Sequence, residues 1–396
     1  MKKVTLGVSG SIAAYRAADI ASGLTKLGLD VQVAMTREAT KFIAPLTFHD
    51  LTHHPVATDM FVPVQGLGAD HISLARGADV ILISPCTANL IAKLACGICD
   101  DIVSATVLAT MAPVILAPAM NTVMYENVIT QENLTQLRKR GFTIVEPDYA
   151  ALPCGEVGRG HIADTERILG AVRMILGRGG ELQGRHIVVT AGGTQEPIDA
   201  VRHIGNRSSG RMGYALTEAL RDRGARVMLI AGPTTLLTPF GVEKIEVREA
   251  LEMRDRVLEE IPSARAIVMT AAVVDFRPES PSSRKVKRGD FPSTISLVPN
   301  PDILNEIKGD VIKVGFAAES EDVVQNAAKK LAWKELDLIV ANDISRPDSG
   351  FGSDTNQVTL IHKGGKIEKL PLLSKWEVAV EITDRIVELF KERLSL

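Results

Sequence analysis

Short apolar runs that end in small or turn-forming residues, each followed by a helical pattern, recur along this chain and constrain its fold more than any other feature. Val4–Val8 turns through Gly7-Val-Ser-Gly10-Ser11 into the amphipathic run Ala13–Leu27. Val31–Met35 ends at Thr36, and Val80–Ile83 closes on Ser84-Pro85, with Thr87 placed to cap the next helix. Val114–Leu116 closes on Ala117-Pro118-Ala119-Met120-Asn121, and Thr143–Val145 makes a fifth run. Strands buried on both faces read as continuous β-branched runs, so the pattern predicts a parallel, doubly wound sheet. Ligands collect beyond the carboxyl ends of such strands, where Gly10, Ser11, Thr36, Ser84 and Asn121 fall.

A helical pattern over Glu166–Arg178 breaks at Gly177-Arg-Gly-Gly180 and Gly184, which places a domain boundary near residue 182. The rhythm then restarts: strands at Ile187–Thr190, Val227–Ala231, Ala266–Thr270, Ile312–Phe316 and Leu338–Ala341, with helices at Met212–Gly224, Ala250–Ile261 and Glu321–Trp333. Val358–His362 and Lys366–Leu370 read as a hairpin, and Lys375–Arg393 as a closing helix. The fold class is therefore α/β, with two tandem Rossmann-like domains over residues 1–182 and 183–396.

Within the second half, Val188–Gly213 reads VVTAGGTQEPIDAVRHIGNRSSGRMG. A buried strand runs into glycines, and a second glycine-bearing loop leads into a helix. Such a strand–loop–helix suits an anion, because glycines let the backbone approach and the first N–H groups of the helix point outward. It is not a P-loop: Arg211 and Met212 follow Gly210 where that motif has Lys and Ser/Thr. Nor does it contain the dinucleotide GxGxxG. A glycine turn that merely packs helix on sheet is the alternative.

Composition narrows the function. Lys+Arg 45 against Asp+Glu 48 leaves a net charge of −3 with no long single-sign run, which argues against a nucleic-acid binder. No apolar run approaches the roughly 20 residues that span a bilayer, and a cytoplasmic enzyme is expected. Cys96-Gly-Ile-Cys99 is a CxxC without a second pair to complete a zinc site. It falls late in the helical run Thr87–Cys99, where cysteine is expected to be a small buried residue.

Three residues stand out as proton handlers or ligand contacts. His71, in Asp70-His71-Ile72-Ser73-Leu74, carries an imidazole, a group suited to proton transfer, although a lone histidine is more often a surface or capping residue. Asn121 could hold a carboxylate or cap the next helix. Cys154 lies in the glycine loop Pro153-Cys-Gly-Glu-Val-Gly-Arg-Gly160, and a thiol on such a loop is a reactive candidate. The segment 278–293, with proline, serine and cations, reads either as a solvated loop or as a lid delivering Lys285 or Lys287 to an anion.

Taken in order, these motifs resemble the family of bifunctional coenzyme A biosynthesis proteins, a phosphopantothenoylcysteine decarboxylase fused to a phosphopantothenate–cysteine ligase. In the first half the marks are Gly7–Tyr15, His71–Leu74 (HISL), Pro118–Met124 (PAMNxxM) and the Cys154–Gly160 loop. In the second they are Thr190–Asp199, Asn206–Gly213, Ala271–Phe276, Lys285–Lys287, Asn300–Leu304, Gly315–Glu319 and Lys330–Lys334. One departure is visible: His161-Ile162 follows Gly160 where the family commonly has Arg-Met.

The resemblance implies a flavodoxin-like flavoprotein domain followed by a nucleotide-binding ligase domain. In the first, FMN would be lined by Gly10, Ser11, Ile12, Thr36, Ser84, Thr87 and Met120. The substrate's cysteine thiol would be oxidised toward a thioaldehyde, carbon dioxide would leave, and the enethiolate would be reduced. His71 would handle a proton, Asn121 would meet the departing carboxylate, and Cys154 would be the acid. The second domain would join 4′-phosphopantothenate to cysteine through an acyl-cytidylate formed from CTP. Asn206 would hold that intermediate and Lys285 would act from the lid. Ala271, Asp275, Pro301, Asp302, Ile303, Leu304, Phe316, Lys330 and Lys334 would contact CTP, with Asp275 also facing Mg2+. The family's decarboxylase halves form trimers and its ligase halves dimers, so a homo-oligomer is implied. Two other readings compete. A nicotinamide oxidoreductase would need GxGxxG or a tyrosine with a lysine four residues on, and neither is present. A regulatory flavoprotein without catalysis would not need His71, Asn121 and Cys154 together.

Overall fold

Parallel pairing of short, fully buried strands builds both halves of the chain. The computed structural model describes residues 1–61, 70–151, 155, 157–291, 293–319, 321–343 and 354–394. It divides into two compact units, Met1–Leu176 and Gly177–Leu396. The glycine-rich break toward residue 182 thus belongs to the second unit, where the carbonyl oxygens of Asp222 and Arg223 sit too close to Gly177 and Gly180 for a Cβ.

In the first unit the strands are β1 (Lys3–Val8), β2 (Asp30–Met35), β3 (Val56–Ala57), β4 (Val80–Cys86), β5 (Val114–Pro118) and β6 (Thr143–Ile144). They lie in the order β3-β2-β1-β4-β5-β6, all parallel. With the two-residue edge strand β3 set aside, the order is that of a flavodoxin-like sheet, whose strand order reverses between β1 and β4. Val80–Cys86 is buried at every position, as a central strand covered on both faces requires. A separate antiparallel pair, β7 (Asp148–Ala151) and β8 (Val157–His161), frames the Cys154 loop.

The second unit adds β9 (His186–Ala191) and a small hairpin of β10 (Gln195–Pro197) with β11 (His203–Gly205). Next come β12 (Arg226–Ala231), β13 (Glu243–Glu246) and β14 (Ala266–Met269), then the antiparallel pair β15 (Phe276–Pro278) and β16 (Leu297–Pro299). β17 (Ile312–Glu319), β18 (Leu338–Asp343), β19 (Thr355–Asn356), β20 (Val358–His362), β21 (Ile367–Lys369) and β22 (Leu373–Ser374) complete the set. The main sheet runs β13-β12-β9-β14-β17-β18-β20-β21, parallel as far as β18 and extended by the antiparallel hairpin β20–β21. Its order reverses between β9 and β14.

Helices cover both faces of this sheet. Helix Arg211–Arg221 buries Leu216, Thr217 and Leu220, and approaches β9 so closely that a Cβ at Gly213 would lie 2.6 Å from that of Ala191. Each fully buried leucine or isoleucine here stabilises the unit by about 1.5–3 kcal/mol. The helix predicted over Thr87–Cys99 covers only Ala88–Cys96, because Gly97 adopts φ 75° and ends it. Cys96 and Cys99 are consequently exposed rather than packed, against the expectation from a longer helix; Cys86 is the buried one.

Candidate active sites

In each unit a cleft opens where the strand order reverses. In the first, a cavity of about 320 Å³ is lined by residues that follow β1, β2, β4 and β5, among them Gly10, Ser11, Thr36, Thr87 and Met120. Their positions follow from local chemistry. Ser9, buried at the end of β1, donates its hydroxyl to Pro85 O at 2.7 Å and accepts the N–H of Thr87 at 3.0 Å, tying the ends of β1 and β4 together. Thr87 caps helix Ala88–Cys96 by accepting the N–H of Leu90. Thr36, 5% exposed, accepts from Ala39 N. A Cβ on Gly10 would fall 2.4 Å from that of Glu38, so no larger residue fits there.

Ser84 sits deeper. It is fully buried and its hydroxyl has no hydrogen-bond partner among the described residues, an arrangement that ordinarily costs about 1–3 kcal/mol. Lys93, which no motif marked, stands on the cavity wall between Asp100 (2.7 Å) and Asp101 (2.8 Å). Burial works against its charge, and the hydrogen bonds to the two carboxylates outweigh it, raising its pKa.

A second cavity of about 270 Å³ adjoins the first, sharing Ser11, Ala119 and Met120 with it. Ile12, Asn121, Gly160 and His161 line it, with the unforeseen Arg16. Asn121 caps helix Thr122–Glu126 through its side-chain oxygen, 2.8 Å from Val123 N. His71 lies in helix Asp70–Gly77 and lines neither cavity; its Nδ1 is buried, without a hydrogen-bond partner among the described residues. Cys154 lies outside the described residues.

In the second unit the loops after β9 and β14 are zipped together. Ala272 N donates to Gly192 O at 2.8 Å, and Val274 N to the Thr194 hydroxyl at 3.0 Å. Asn206 reaches across the same seam, its amide donating to Val273 O at 3.0 Å. Gly210, at φ 75°, opens helix Arg211–Arg221. Around these residues lies a cleft of about 400 Å³ that also takes in Ala271, Phe316 and Lys330. Arg207, Arg211, Asn342, Asn356 and Lys375 line it too. The two arginines lie in the glycine motif; the other three come from distant segments that no motif marked.

Other expected contacts lie elsewhere. Lys285 is exposed and does not line this cleft. Its segment is docked on the turn after β10: Ser282 N donates to Ile198 O, Val286 N to the Asp199 carboxylate at 3.3 Å, and the Arg202 guanidinium lies 4.1 Å from the Phe291 ring centroid. Lys330 pairs with Glu319 at 2.7 Å, and Lys334 pairs with Asp302 at 2.9 Å, tying its helix to the Pro301–Leu304 turn. Ile303 and Leu304 bury their side chains in the core, leaving their main chain for any ligand. Asp275 is exposed, and its carbonyl accepts from Asn300 N. Among the described residues no three His, Cys, Asp or Glu side chains cluster as a metal site, and no helix is long and apolar enough to cross a membrane.

Two family models match the chain: "Flavoprotein" over residues 1–177, and "DNA/pantothenate metabolism flavoprotein C-terminal domain" over residues 182–390. Among curated proteins, the chain is 44% identical over 397 residues to the coenzyme A biosynthesis bifunctional protein CoaBC of Bacillus subtilis (strain 168), covering 99% of this chain and 98% of that one. It is 40% identical over 400 residues to the protein of the same name from Escherichia coli (strain K12), covering 99% and 98%. Among solved structures, the C-terminal domain of a coenzyme A biosynthesis bifunctional protein is similar at 38% identity, with 54% of this chain and 99% of that chain covered and a TM-score of 0.47.

Proposed function

The chain belongs to the family of coenzyme A biosynthesis bifunctional proteins, and from that premise we propose how its clefts divide the work. The protein is a bifunctional enzyme of coenzyme A biosynthesis, a decarboxylase and a ligase, and its first unit is a flavoprotein domain that uses FMN. The observation that carries the division is that each family model covers one doubly wound sheet, and each sheet opens one cleft system at its own switch point.

The residues of the first unit fit FMN. The larger cavity offers the hydroxyls of Ser11, Thr36 and Thr87 for a phosphate, with the apolar Ala119, Met120 and Met124 for a ring system. FMN supplies the two-electron redox chemistry that the side chains lack. The adjoining cavity receives 4′-phosphopantothenoylcysteine, with Met120 on the shared wall. Asn121 orients the departing carboxylate, and Cys154 delivers the proton that completes 4′-phosphopantetheine. His71 lines neither cavity, so its role as proton handler calls for the site of a neighbouring copy in a trimer. That role requires a homo-oligomer as the active assembly.

The second unit joins 4′-phosphopantothenate to cysteine. A carboxylate is a poor electrophile, so CTP first converts it to an acyl-cytidylate, releasing pyrophosphate; cysteine's amine then displaces CMP. Asn206, anchored by one amide hydrogen on Val273 O, directs the other toward the acyl-cytidylate. Lys330 meets the phosphates from the cleft wall, and Lys285 closes over them from its exposed segment. Mg2+ enters with the nucleotide's phosphates, Asp275 being the single carboxylate assigned to it, an ordinary arrangement for a cation that keeps several waters. The reaction runs in the cytoplasm.

The test is mass spectrometry of products after incubating the full chain with 4′-phosphopantothenate, cysteine, Mg2+ and CTP or ATP. Appearance of 4′-phosphopantetheine with CTP, from a yellow protein, is expected. Accumulation of phosphopantothenoylcysteine would contradict the assignment of the first unit, and absence of nucleotide consumption that of the second.

A further inference from the structure

The cations on the wall of the second cleft are not equally answered. Lys330 has Glu319 at 2.7 Å, and Arg211 has the exposed Asp354 carboxylate. Lys375 lines the same cleft, partly buried, and among the described residues no carboxylate pairs with its ammonium group. Burial and the Arg211 guanidinium both work against its charge, and the weaker pull of Asp354 offsets them only in part, so its pKa lies below the usual lysine value.

The backbone holds Lys375 in this position. β19 and β22 pair antiparallel, Thr355 opposite Ser374, and Lys375 N donates to Asp354 O at 3.0 Å. Ser374 and Glu377 then exchange hydrogen bonds at the start of helix Lys375–Leu394: Ser374 N donates to the Glu377 carboxylate at 2.8 Å, and Glu377 N to the Ser374 hydroxyl at 3.2 Å. A cation fixed in a cleft beside a second cation is unfavourable in isolation. A multiply charged anion between them reverses the sign of that interaction.

From this geometry we infer that Lys375, with Arg211 beside it, holds a phosphate group of one of the ligase substrates. The inference rests on the ligase reading of the cleft and adds a residue to it. Asn356 of β19 lines the same cleft. Two sources carry the required chemistry: the triphosphate of CTP and the phosphomonoester of 4′-phosphopantothenate.

The experiment uses the full chain and the variants Lys375→Met and Lys375→Arg, with thermal unfolding and the decarboxylation rate as controls for folding. Lys375→Met is expected to raise the KM of one phosphate-bearing substrate by about tenfold, the scale of a charge-assisted hydrogen bond, with kcat changed less than about twofold. Lys375→Arg is expected to restore most of the loss. A loss on the CTP side, accompanied by weaker pyrophosphate binding in calorimetry, assigns the residue to the nucleotide. A loss on the 4′-phosphopantothenate side that is absent when unphosphorylated pantothenate is the competing ligand assigns it to the phosphomonoester. Unchanged KM values for both substrates, with unchanged binding of pyrophosphate and inorganic phosphate, overturn the inference. A wild-type protein that binds pyrophosphate more tightly than Lys375→Met but forms no amide overturns the ligase reading and leaves the phosphate-holding role in place.

Discussion

The carbonyl of Gly160 accepts the backbone N–H of Met120 at 3.0 Å. This single bond joins the hairpin that carries the Cys154 loop to the end of β5, where Met120 and Asn121 face the adjoining cavities. The strand approaches so closely that a Cβ at residue 160 would lie 2.3 Å from Met120 O, at a φ of 144°. Gly158 is close to Thr122 in the same way: a Cβ at residue 158 would lie 2.5 Å from the Thr122 hydroxyl oxygen. Gly158 and Gly160 of the loop motif are therefore places where the hairpin packs closely on the segment after β5.

Gly160→Ala is expected to push β8 away from Met120. Overpacking of this kind costs about 1–3 kcal/mol, and a displaced loop carries its thiol with it. Decarboxylation should fall at least about tenfold while ligation by the same molecule is unchanged. Rates of both reactions, measured on one preparation, separate this outcome from global misfolding, which would lower both.

Asn206 makes a second specific prediction. Asn206→Asp keeps the size of the side chain but removes the amide that donates to Val273 O and would donate to the acyl-cytidylate. Ligation is expected to drop by about 10²-fold, as when one donor to a developing charge is removed, with CTP affinity retained. A single-turnover assay that follows pyrophosphate and CMP separately locates the stalled step; full activity in the Asn206→Asp variant would refute the assignment.

Much of the fold was legible because parallel strands buried on both faces leave continuous β-branched runs, as Val80–Ile83 and Ile187–Thr190 do. Strand β13, reading Glu-Lys-Ile-Glu, is half exposed at the sheet edge and carries no such signal. The two-residue strands β3, β19 and β22 depend on their partners rather than on their own composition. The clefts were legible where ligand-facing residues sit at strand ends or within the quoted motifs, as Gly10, Thr36, Met120 and Lys330 do. Lys375, Asn342 and Asn356 reach the second cleft through the pairing of distant strands, and nothing local announces them. The reverse holds for Ile303 and Leu304: a motif pointed to them, while their apolar side chains are spent on the core.

The docked segment that carries Lys285 yields a third prediction. The Asp199 side chain is buried and accepts N–H bonds from Val201 and Arg202 at 2.8 Å and from Val286 at 3.3 Å, which together hold its carboxyl below the usual range. Asp199→Ala removes the acceptor that ties residue 286 to the turn. Trypsin is then expected to cut at Arg284, Lys285 or Lys287 several-fold faster than in the wild type, with CTP slowing the cleavage in both proteins. Equal cleavage rates would show that the Ser282–Ile198 bond and the Arg202 contacts to Val286 O and the Phe291 ring hold the segment without Asp199.

Acid stability of the second unit should depend on Glu368. Its carboxylate meets His362 at 2.6 Å, Lys366 at 3.1 Å and Arg385 at 3.1 Å, tying the hairpin β20–β21 to the last helix. Burial alone would raise its pKa, but the hydrogen bonds from Arg385, Lys366 and His362 overcome that and bring it down to about 2. A carboxyl whose folded pKa is depressed contributes stability that is fully present above its unfolded value, about 4.3, and is lost as pH falls toward the folded one. Thermal unfolding followed between about pH 6 and pH 2 should therefore show a decline below about pH 4.5 that is shallower in Glu368→Gln, whose melting temperature is already lower at neutral pH. If the two proteins lose stability in parallel across that window, the acid limb arises from other carboxylates. The loss would then have to come from groups such as Glu181 or Glu377, whose carboxyls are also held low by hydrogen bonds in this unit.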